Sequence, residues 1–389
     1  MKIGLVTPYD WSYPGGVREH VRHLAHEFRK MGLEVRILAP VSGDDERLAE
    51  EQVYKMAGAS PVPFNGSIAR VALNPYLGRR VRSVLQHERF DIIHLHEPLI
   101  PGLPLTVLRF SRAINIGTFH AFAAARITST PYLAYASLHP FLRPYFRRLA
   151  GRIAVSPAAY QFVSRYFPAD YRLIPNGVDL ERFNIWNQPL PWFMDGKRNI
   201  LFVGRFEKRK GAKYLLRAIP TIRERYPDTR FILVGEGGLK RGFERFVEKQ
   251  GWQDVVFVGR VSAEELPRYF ASAHVFCAPS IGGESLGVVL LEAMASGVPV
   301  VASNIEGYAT VITHGLNGLL APPRDSLALS MAICRLLEDE PLRRRLVEAG
   351  LQTSQQYAWP RIARRVVDYY QELLEERQLL HTLREREPV

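Results

Sequence analysis

Glu284 and Glu292, with seven residues between them in a glycine-rich run, are the side chains whose type and spacing most directly suggest chemistry. The run Gly282-Gly283-Glu284-Ser285-Leu286-Gly287-Val288-Val289-Leu290-Leu291-Glu292 follows an apolar strand pattern and opens an apolar helix pattern. Ser285, Leu286, Gly287 and Val288, at the expected helix start, would offer backbone N–H groups and the positive end of a helix dipole to an anion. Read as one helix, the two carboxylates lie roughly 12 Å apart along its axis. That is too wide for a retaining glycosidase pair, which sits about 5–5.5 Å apart. It suits two ends of one extended ligand, a sugar and a ribose joined by a diphosphate. Glu292 could instead cap or pair on an exposed face, but its neighbours are too apolar for an idle carboxylate.

A second charged set stands in Phe202-Val203-Gly204-Arg205-Phe206-Glu207-Lys208-Arg209-Lys210-Gly211. Arg205 falls at the end of a strand pattern, and Lys210 could reach the same anion from the other side of the loop. A guanidinium fork and a lysine point charge aimed at a diphosphate would stabilise the charge that develops as it leaves. Lys208 and Arg209 read equally well as solvated residues. Near the N-terminus, Gly15-Gly16-Val17 leads from a strand into a helix, where two glycines either open backbone N–H groups to a phosphate or simply serve a turn. The run is neither a complete G-x-G-x-x-G nor a G-x4-G-K loop, which argues against a dehydrogenase and an NTPase.

Histidines close two further strand patterns, in His94-Leu95-His96-Glu97 and Gly117-Thr118-Phe119-His120. H-x-H with a third histidine could hold zinc. No further ligand cluster and no D-x-D accompanies them, so neither a protein-bound metal nor another cofactor is expected. His94 is expected in the core, and His120, at a strand end, in contact with substrate.

Positioning these residues requires strands that end beside one another. Short β-branched runs alternate with amphipathic stretches, the pattern of parallel α/β folding. Strands are expected at 2–7, 34–39, 91–95, 114–119, 152–155 and 171–174, then at 199–203, 230–234, 255–259, 275–278, 298–302 and 318–320. The clearest helices are 17–31 and 286–296. Two such series predict two Rossmann-like, doubly wound domains in tandem, 1–176 and 177–358, each binding ligand beyond the carboxyl ends of its strands. Prolines and glycines between 175 and 198 mark the join. A last helix, about 361–384, is expected to pack back on the first domain.

The net charge of +12 is uneven. Between Arg70 and Arg152 there are 12 Arg, no Lys and 3 acidic residues, so this stretch alone carries +9. A localised basic face suggests a phosphate-rich partner, either nucleic acid or an anionic membrane, or else a solvated surface. The two cysteines, Cys277 and Cys334, sit in apolar runs and suggest no disulfide framework. No run is long and apolar enough to span a bilayer, and no signal-type region opens the chain. A cytoplasmic protein bound peripherally to the inner face of the cell membrane is expected.

Together these motifs resemble the retaining GT-B glycosyltransferases. Glu284 and Glu292 match that family's E-x7-E motif, and Gly15-Gly16, the Arg205 and Lys210 pair and Ile174-Pro175-Asn176-Gly177-Val178-Asp179 fall where it would have them. Pro63-Phe64-Asn65-Gly66-Ser67-Ile68-Ala69-Arg70, His96-Glu97-Pro98, Thr118-Phe119-His120 and Arg152-Ile153-Ala154-Val155-Ser156 are similar to the phosphatidylinositol mannosyltransferases within it. The resemblance implies two Rossmann-like domains with a deep cleft between them, the donor in the second and the acceptor in the first. It implies retaining transfer of mannose from GDP-mannose to the inositol of phosphatidylinositol. By that likeness Glu284 holds the sugar hydroxyls and Glu292 the ribose, while Arg205, Lys210 and the Gly16 amide take the diphosphate. Val261 lies in the base-binding loop, His120 by the sugar, and Tyr9, Asn65 and Arg70 near the inositol phosphate.

A helix over Asn74–Phe90 would align Leu77, Val81, Val84 and Leu85 in one stripe, with Arg79, Arg80 and Arg82 off it. That pattern fits an interfacial helix on anionic lipid, and equally a domain helix packed on its sheet. Phe141-Leu142-Arg143-Pro144-Tyr145-Phe146-Arg147-Arg148 adds a second basic and aromatic run. Rival readings are a family member with another lipid, a soluble sugar or a polysaccharide as acceptor, a GT-B-fold sugar-nucleotide epimerase, and a basic binding module. Nucleic acid is not an expected partner, because no motif for it appears and the two glutamates would have no task.

Overall fold

Strands buried on both faces read as nearly continuous apolar runs, and they form two parallel sheets here. The computed structural model describes all residues except 14, 44–46, 65–66, 72–76, 121–129 and 387–389. The chain divides into one unit of Met1–Asn176 with Trp359–Val389, and a second of Gly177–Ala358.

The strands of the first unit are β1 (Lys2–Val6), β2 (Glu34–Ala39), β3 (Val53–Lys55), β4 (Ser60–Phe64) and β5 (Ser67–Val71). They continue with β6 (Ile92–His96), β7 (Ile114–Phe119), β8 (Gly151–Ala154) and β9 (Arg172–Leu173). Its helices are α1 (Gly16–Lys30), α2 (Arg47–Glu50), α3 (Leu77–Glu88), α4 (Leu103–Phe110), α5 (Thr130–Phe146) and α6 (Pro157–Ser164). The sheet order is β3-β2-β1-β6-β7-β8-β9, and every pairing is parallel. Strand order reverses between β1 and β6, which opens a crevice beyond their carboxyl ends.

The second unit contains β10 (Arg198–Val203), α7 (Ala212–Arg225), β11 (Thr229–Val234), α8 (Lys240–Lys249), β12 (Val255–Gly259) and α9 (Leu266–Ala271). β13 (Val275–Ala278), α10 (Val288–Ala295), β14 (Val300–Ser303), α11 (Glu306–Ala309), β15 (Leu319–Ala321), α12 (Ser326–Glu338) and α13 (Glu340–Gln356) follow. Its parallel sheet runs β12-β11-β10-β13-β14-β15, with the switch between β10 and β13.

The last helix, α14 (Trp359–Arg386), belongs to the first unit. Trp359, Ile362, Ala363, Val366, Val367, Tyr370 and Leu373 form its buried stripe, in one cluster with Val21, Leu24 and Phe28 of α1. Such a stripe, at steps of three and four residues, holds a helix to a core through area removed from water. The packing is close: a Cβ on Gly151 would lie 2.6 Å from Leu373 Cδ1.

Three features depart from expectation. β4 and β5 form a separate antiparallel hairpin, unforeseen because Pro61 and Pro63 argue against a strand. The proline penalty is small here, since in a two-stranded sheet each strand is an edge. The stripe of α3 faces inward, with Leu77, Val81 and Val84 buried and Leu85 packed against the same core. It is therefore not available to lipid. α10 starts at Val288, not at residue 286, because Gly282, Gly283 and Gly287 all take positive φ, which an α-helix does not allow. Both cysteines are buried and free, and no helix among the described residues is long and apolar enough to cross a membrane.

Candidate active site

In the second unit the switch point gathers the charged residues. β10 delivers Arg205, and a short 3-10 turn at Lys208–Lys210 turns the chain into α7. Gly211 ends that turn at φ 70°, where a Cβ would meet the Pro279 carbonyl oxygen at 1.9 Å; only glycine lets the turn abut the end of β13. The turn brings two cations onto Glu284: Arg209 Nη1 lies 2.6 Å and Lys210 Nζ 2.8 Å from its Oε1. The Glu284 side chain is 11% exposed. Its backbone presses on Gly307, where a Cβ would come within 2.0 Å of the Glu284 oxygen.

Glu207 completes the network by accepting from Arg205 and, at 3.1 Å, from Arg209. Arg205 remains 53% exposed. Arg209, which read in the sequence as a solvated residue, thus bridges both glutamates; nothing but its place in a basic run could have signalled it. Ser280, hydrogen-bonded to buried Tyr308 at 2.8 Å, backs the same wall.

Glu284 therefore stands in a loop four residues ahead of α10, so the separation along one helix axis does not apply to the pair. Gly287 is the N-cap, and no side chain caps the amides that open α10. Ser285 is partly exposed, whereas the Leu286 side chain is buried in the core, leaving that residue only its backbone to offer a ligand. Glu292 lies inside α10. Burial pushes its carboxyl up to about 7, against the opposing pull of Arg182 and Lys210. Val261 follows β12 and is half-buried.

In the first unit the carboxyl ends of β6 and β7 carry His96 and His120. His96 Nδ1 lies 3.0 Å from His120 Nε2, and the His120 amide donates to Glu97 Oε1 at 2.7 Å. His20, from α1, donates through Nδ1 to Asn176 Oδ1 at 2.9 Å, because an amide oxygen only accepts. His94 is fully buried, bonded to Tyr370 Oη at 2.5 Å and Thr118 Oγ1 at 2.6 Å.

Burial, reinforced by neighbouring imidazoles, holds these rings below the usual histidine range, His94 and His120 down to about 3. They are neutral at pH 7. Nε2 of His96 is buried and has no partner among the described residues. A proton there would be an unsatisfied donor, costing about 1–3 kcal/mol. His96 therefore carries its proton on Nδ1 and donates to His120, which leaves His120 with its own on Nδ1. Among the described residues, ring nitrogens of His20, His96 and His120 lie within 4.8 Å of one another. The trio that could ligate a metal thus includes His20, not His94; His20 Nδ1, His96 Nδ1 and His120 Nε2 are engaged in hydrogen bonds, whereas His96 Nε2 is not.

Gly15 caps α1 without a side-chain bond, leaving the first amides of that helix open. A Cβ on Gly15 or Gly16 would meet nothing within 4 Å. Arg70 stacks over the Tyr13 ring at 4.0 Å, and its carbonyl accepts from the Asp10 amide at 3.0 Å. Arg70 is thereby brought to the loop that carries Tyr9, whose phenol is raised by burial and by Glu97. Asn65 lies outside the described residues. Arg79, Arg80 and Arg82 are all exposed on α3.

Two parallel doubly wound units with polar side chains gathered beyond the carboxyl ends of their central strands make this chain a GT-B glycosyltransferase. Sucrose-phosphate synthase from Thermosynechococcus elongatus shares the fold at TM-score 0.74 and 22% identity, over 97% of this chain and 100% of that one. HepE from Anabaena, in complex with UDP, does so at 0.75 and 20%, over 96% and 100%. Residues 14–182 match the family described as Glycosyltransferase Family 4, and residues 189–353 the one described as Glycosyl transferases group 1. The phosphatidyl-myo-inositol mannosyltransferase of Mycobacterium leprae (strain TN) is 38% identical over 375 residues, 95% of this chain and 96% of its own. The chain belongs to the family of the phosphatidyl-myo-inositol mannosyltransferases.

Proposed function

We propose that this chain transfers mannose from GDP-mannose to the inositol of phosphatidylinositol, with retention, at the cytoplasmic face of a membrane. The observation that carries the reading is its 38% identity, nearly end to end, to a protein named phosphatidyl-myo-inositol mannosyltransferase. The second unit binds the donor. Arg205, Lys210 and the open N-terminus of α10 neutralise the diphosphate, so no protein-bound metal is required. Lys210 exchanges the Glu284 carboxylate for phosphate oxygens as the donor enters, one charge-assisted hydrogen bond for another. Glu284 then takes the sugar hydroxyls, and Glu292 the ribose.

The first unit binds the acceptor, with Tyr9, Asn65 and Arg70 at the inositol phosphate and the Gly16 amide at the donor diphosphate. Neither Gly15 nor Gly16 has positive φ or a crowded Cβ position, so the fold itself does not require glycine at either. Their bareness supports close approach of a phosphate. In the transfer the bond from the anomeric carbon to the diphosphate oxygen breaks. An inositol oxygen bonds to that carbon on the same face, and its proton passes to the departing phosphate. His120 donates a hydrogen bond from Nδ1–H to a sugar hydroxyl and keeps its proton throughout.

The test is incubation with phosphatidylinositol vesicles and labelled GDP-mannose, followed by chromatography of the extracted lipid. A labelled lipid that vanishes with Glu284→Ala, and when phosphatidylglycerol replaces phosphatidylinositol, is expected. Label in lipid without phosphatidylinositol, or in no lipid at all, would reject the acceptor.

A further inference from the structure

A cavity of about 680 Å³ opens in the first unit between α3, the starts of β6 and β7, and α14. Arg82, Arg89, Arg112 and Arg377 line it, and Asp91 is the one carboxylate among its described lining residues. It lies at the amino ends of β6 and β7, whereas His96 and His120 follow their carboxyl ends. A five-residue strand spans about 16 Å, so the cavity is separate from the active site.

Among the described residues no carboxylate pairs with any of the four arginines. Asp91 is engaged with the Lys2 amide at 2.7 Å, and Glu88, at the end of α3, is held by Lys2 at 2.6 Å. Arg82 stacks over Phe110 at 4.5 Å, and Arg377 is fixed at the rim by the Arg112 carbonyl at 3.4 Å. The carboxyl ends of α3 and α4 both adjoin the cavity, and each favours one cation nearby. At about half a negative charge each, the two helix ends together with Asp91 offset about two of the four guanidiniums and leave two without a counter-charge. Four guanidinium forks around a space of this size fit the oxygens of a phosphate group better than a single carboxylate.

We propose that this cavity is an anion site for a phosphate ester, taken either from the headgroup of an anionic lipid or from a soluble phosphoester. It rests on the arginines alone and does not depend on the acceptor assigned above. The test uses the full chain, with excess GDP present to occupy any diphosphate site. Glycerophosphate binding is measured by calorimetric titration, and flotation with vesicles of phosphatidylcholine and phosphatidylglycerol is measured beside it.

Wild type is expected to bind glycerophosphate saturably, and Arg112→Gln with Arg377→Gln to weaken that binding about tenfold or more. Asp91→Asn keeps an oxygen for the Lys2 amide while removing the negative charge. It is expected to tighten binding severalfold, a gain that misfolding cannot produce. Loss of flotation in the double variant assigns the site to a lipid headgroup, and intact flotation assigns it to a soluble phosphoester. No binding by wild type, or equal affinities in all three proteins, overturns the proposal.

Discussion

His96 Nδ1 lies 3.0 Å from His120 Nε2, and both rings are held neutral by burial. The bond fixes the His120 tautomer, so on the proposed reading His96 positions His120, and His120 meets the substrate. His120→Ala is expected to lower kcat by roughly 10–100-fold, the loss of one or two strong hydrogen bonds. His96→Phe fills the same space without the donor. It should lower kcat about tenfold while leaving KM for the donor unchanged; a rise in KM alone would argue for a packing role.

The same histidines set a pH dependence of stability. The folded values of His94 and His120, about 3, lie below the unfolded value, so the unfolded chain binds more protons between about pH 6.5 and 3, and His96 is shifted in the same direction. The stabilisation is complete above pH 6.5 and is lost as pH falls through that window, by ~1.4 kcal/mol per unit for His94 and for His120. Melting temperatures measured from pH 7.5 down to 4.5 should fall, and His94→Asn should flatten the slope. A wild-type melting temperature constant to pH 5 would contradict neutral burial.

Much of this was legible in the sequence. Ile92-Ile93-His94-Leu95-His96 and Thr229-Arg230-Phe231-Ile232-Leu233-Val234 read as strands because both faces are covered and apolar residues dominate. The loops of the candidate site follow such strands, so their approximate places came with them. Side-chain partners did not. Asn176 meets His20 across 156 positions, and Tyr370 meets His94 across 276; no period connects residues so far apart. Periodicity revealed the stripe of α3 but not what covers it, and a stripe facing a sheet has the same spacing as one facing lipid. Arg209 was missed because its partner, Glu284, is supplied by another loop.

Glu284 between two cations predicts asymmetric effects. Glu284→Ala should reduce kcat/KM at least a hundredfold, about 3 kcal/mol of charged hydrogen bonding, with vesicle binding unchanged. Arg209→Met leaves Lys210 on Glu284, so it should cost only about tenfold and appear mainly as a higher KM for the donor. Steady-state kinetics with varied donor separates the two; equal losses would mean that Arg209 contacts the donor itself.

Glu292 supplies a second, opposite pH dependence. Its folded pKa, about 7, lies above the ordinary carboxyl value. Stability from this group is complete below about pH 4.5 and is lost as pH rises to 7. Glu292→Gln removes the charge penalty, so relative to wild type it should gain about 3 kcal/mol between pH 4.5 and pH 8. If the ribose binds the carboxylate, wild-type kcat/KM for the donor should also rise through pH 7, and the Gln variant should lack that inflection. Denaturant melts and pH profiles of the same two proteins check both arms.

The exposed arginines of α3 make the last prediction, and the buried stripe beneath them sharpens it. Leu77, Val81 and Val84 serve the core, so membrane attraction through α3 must be electrostatic. Each arginine near an anionic surface contributes about 1 kcal/mol. Changing Arg79, Arg80 and Arg82 together to Gln should weaken binding to anionic vesicles about a hundredfold at low salt and much less at high salt. Turnover with detergent-dispersed acceptor should be retained. Phe141, 57% exposed on α5, offers an apolar group to insert, and Phe141→Ser should weaken vesicle binding by a factor that salt does not change. Flotation assays across a salt series distinguish the two contributions. If the triple variant floats as wild type does at low salt, α3 does not face the membrane, and α5 must carry the contact.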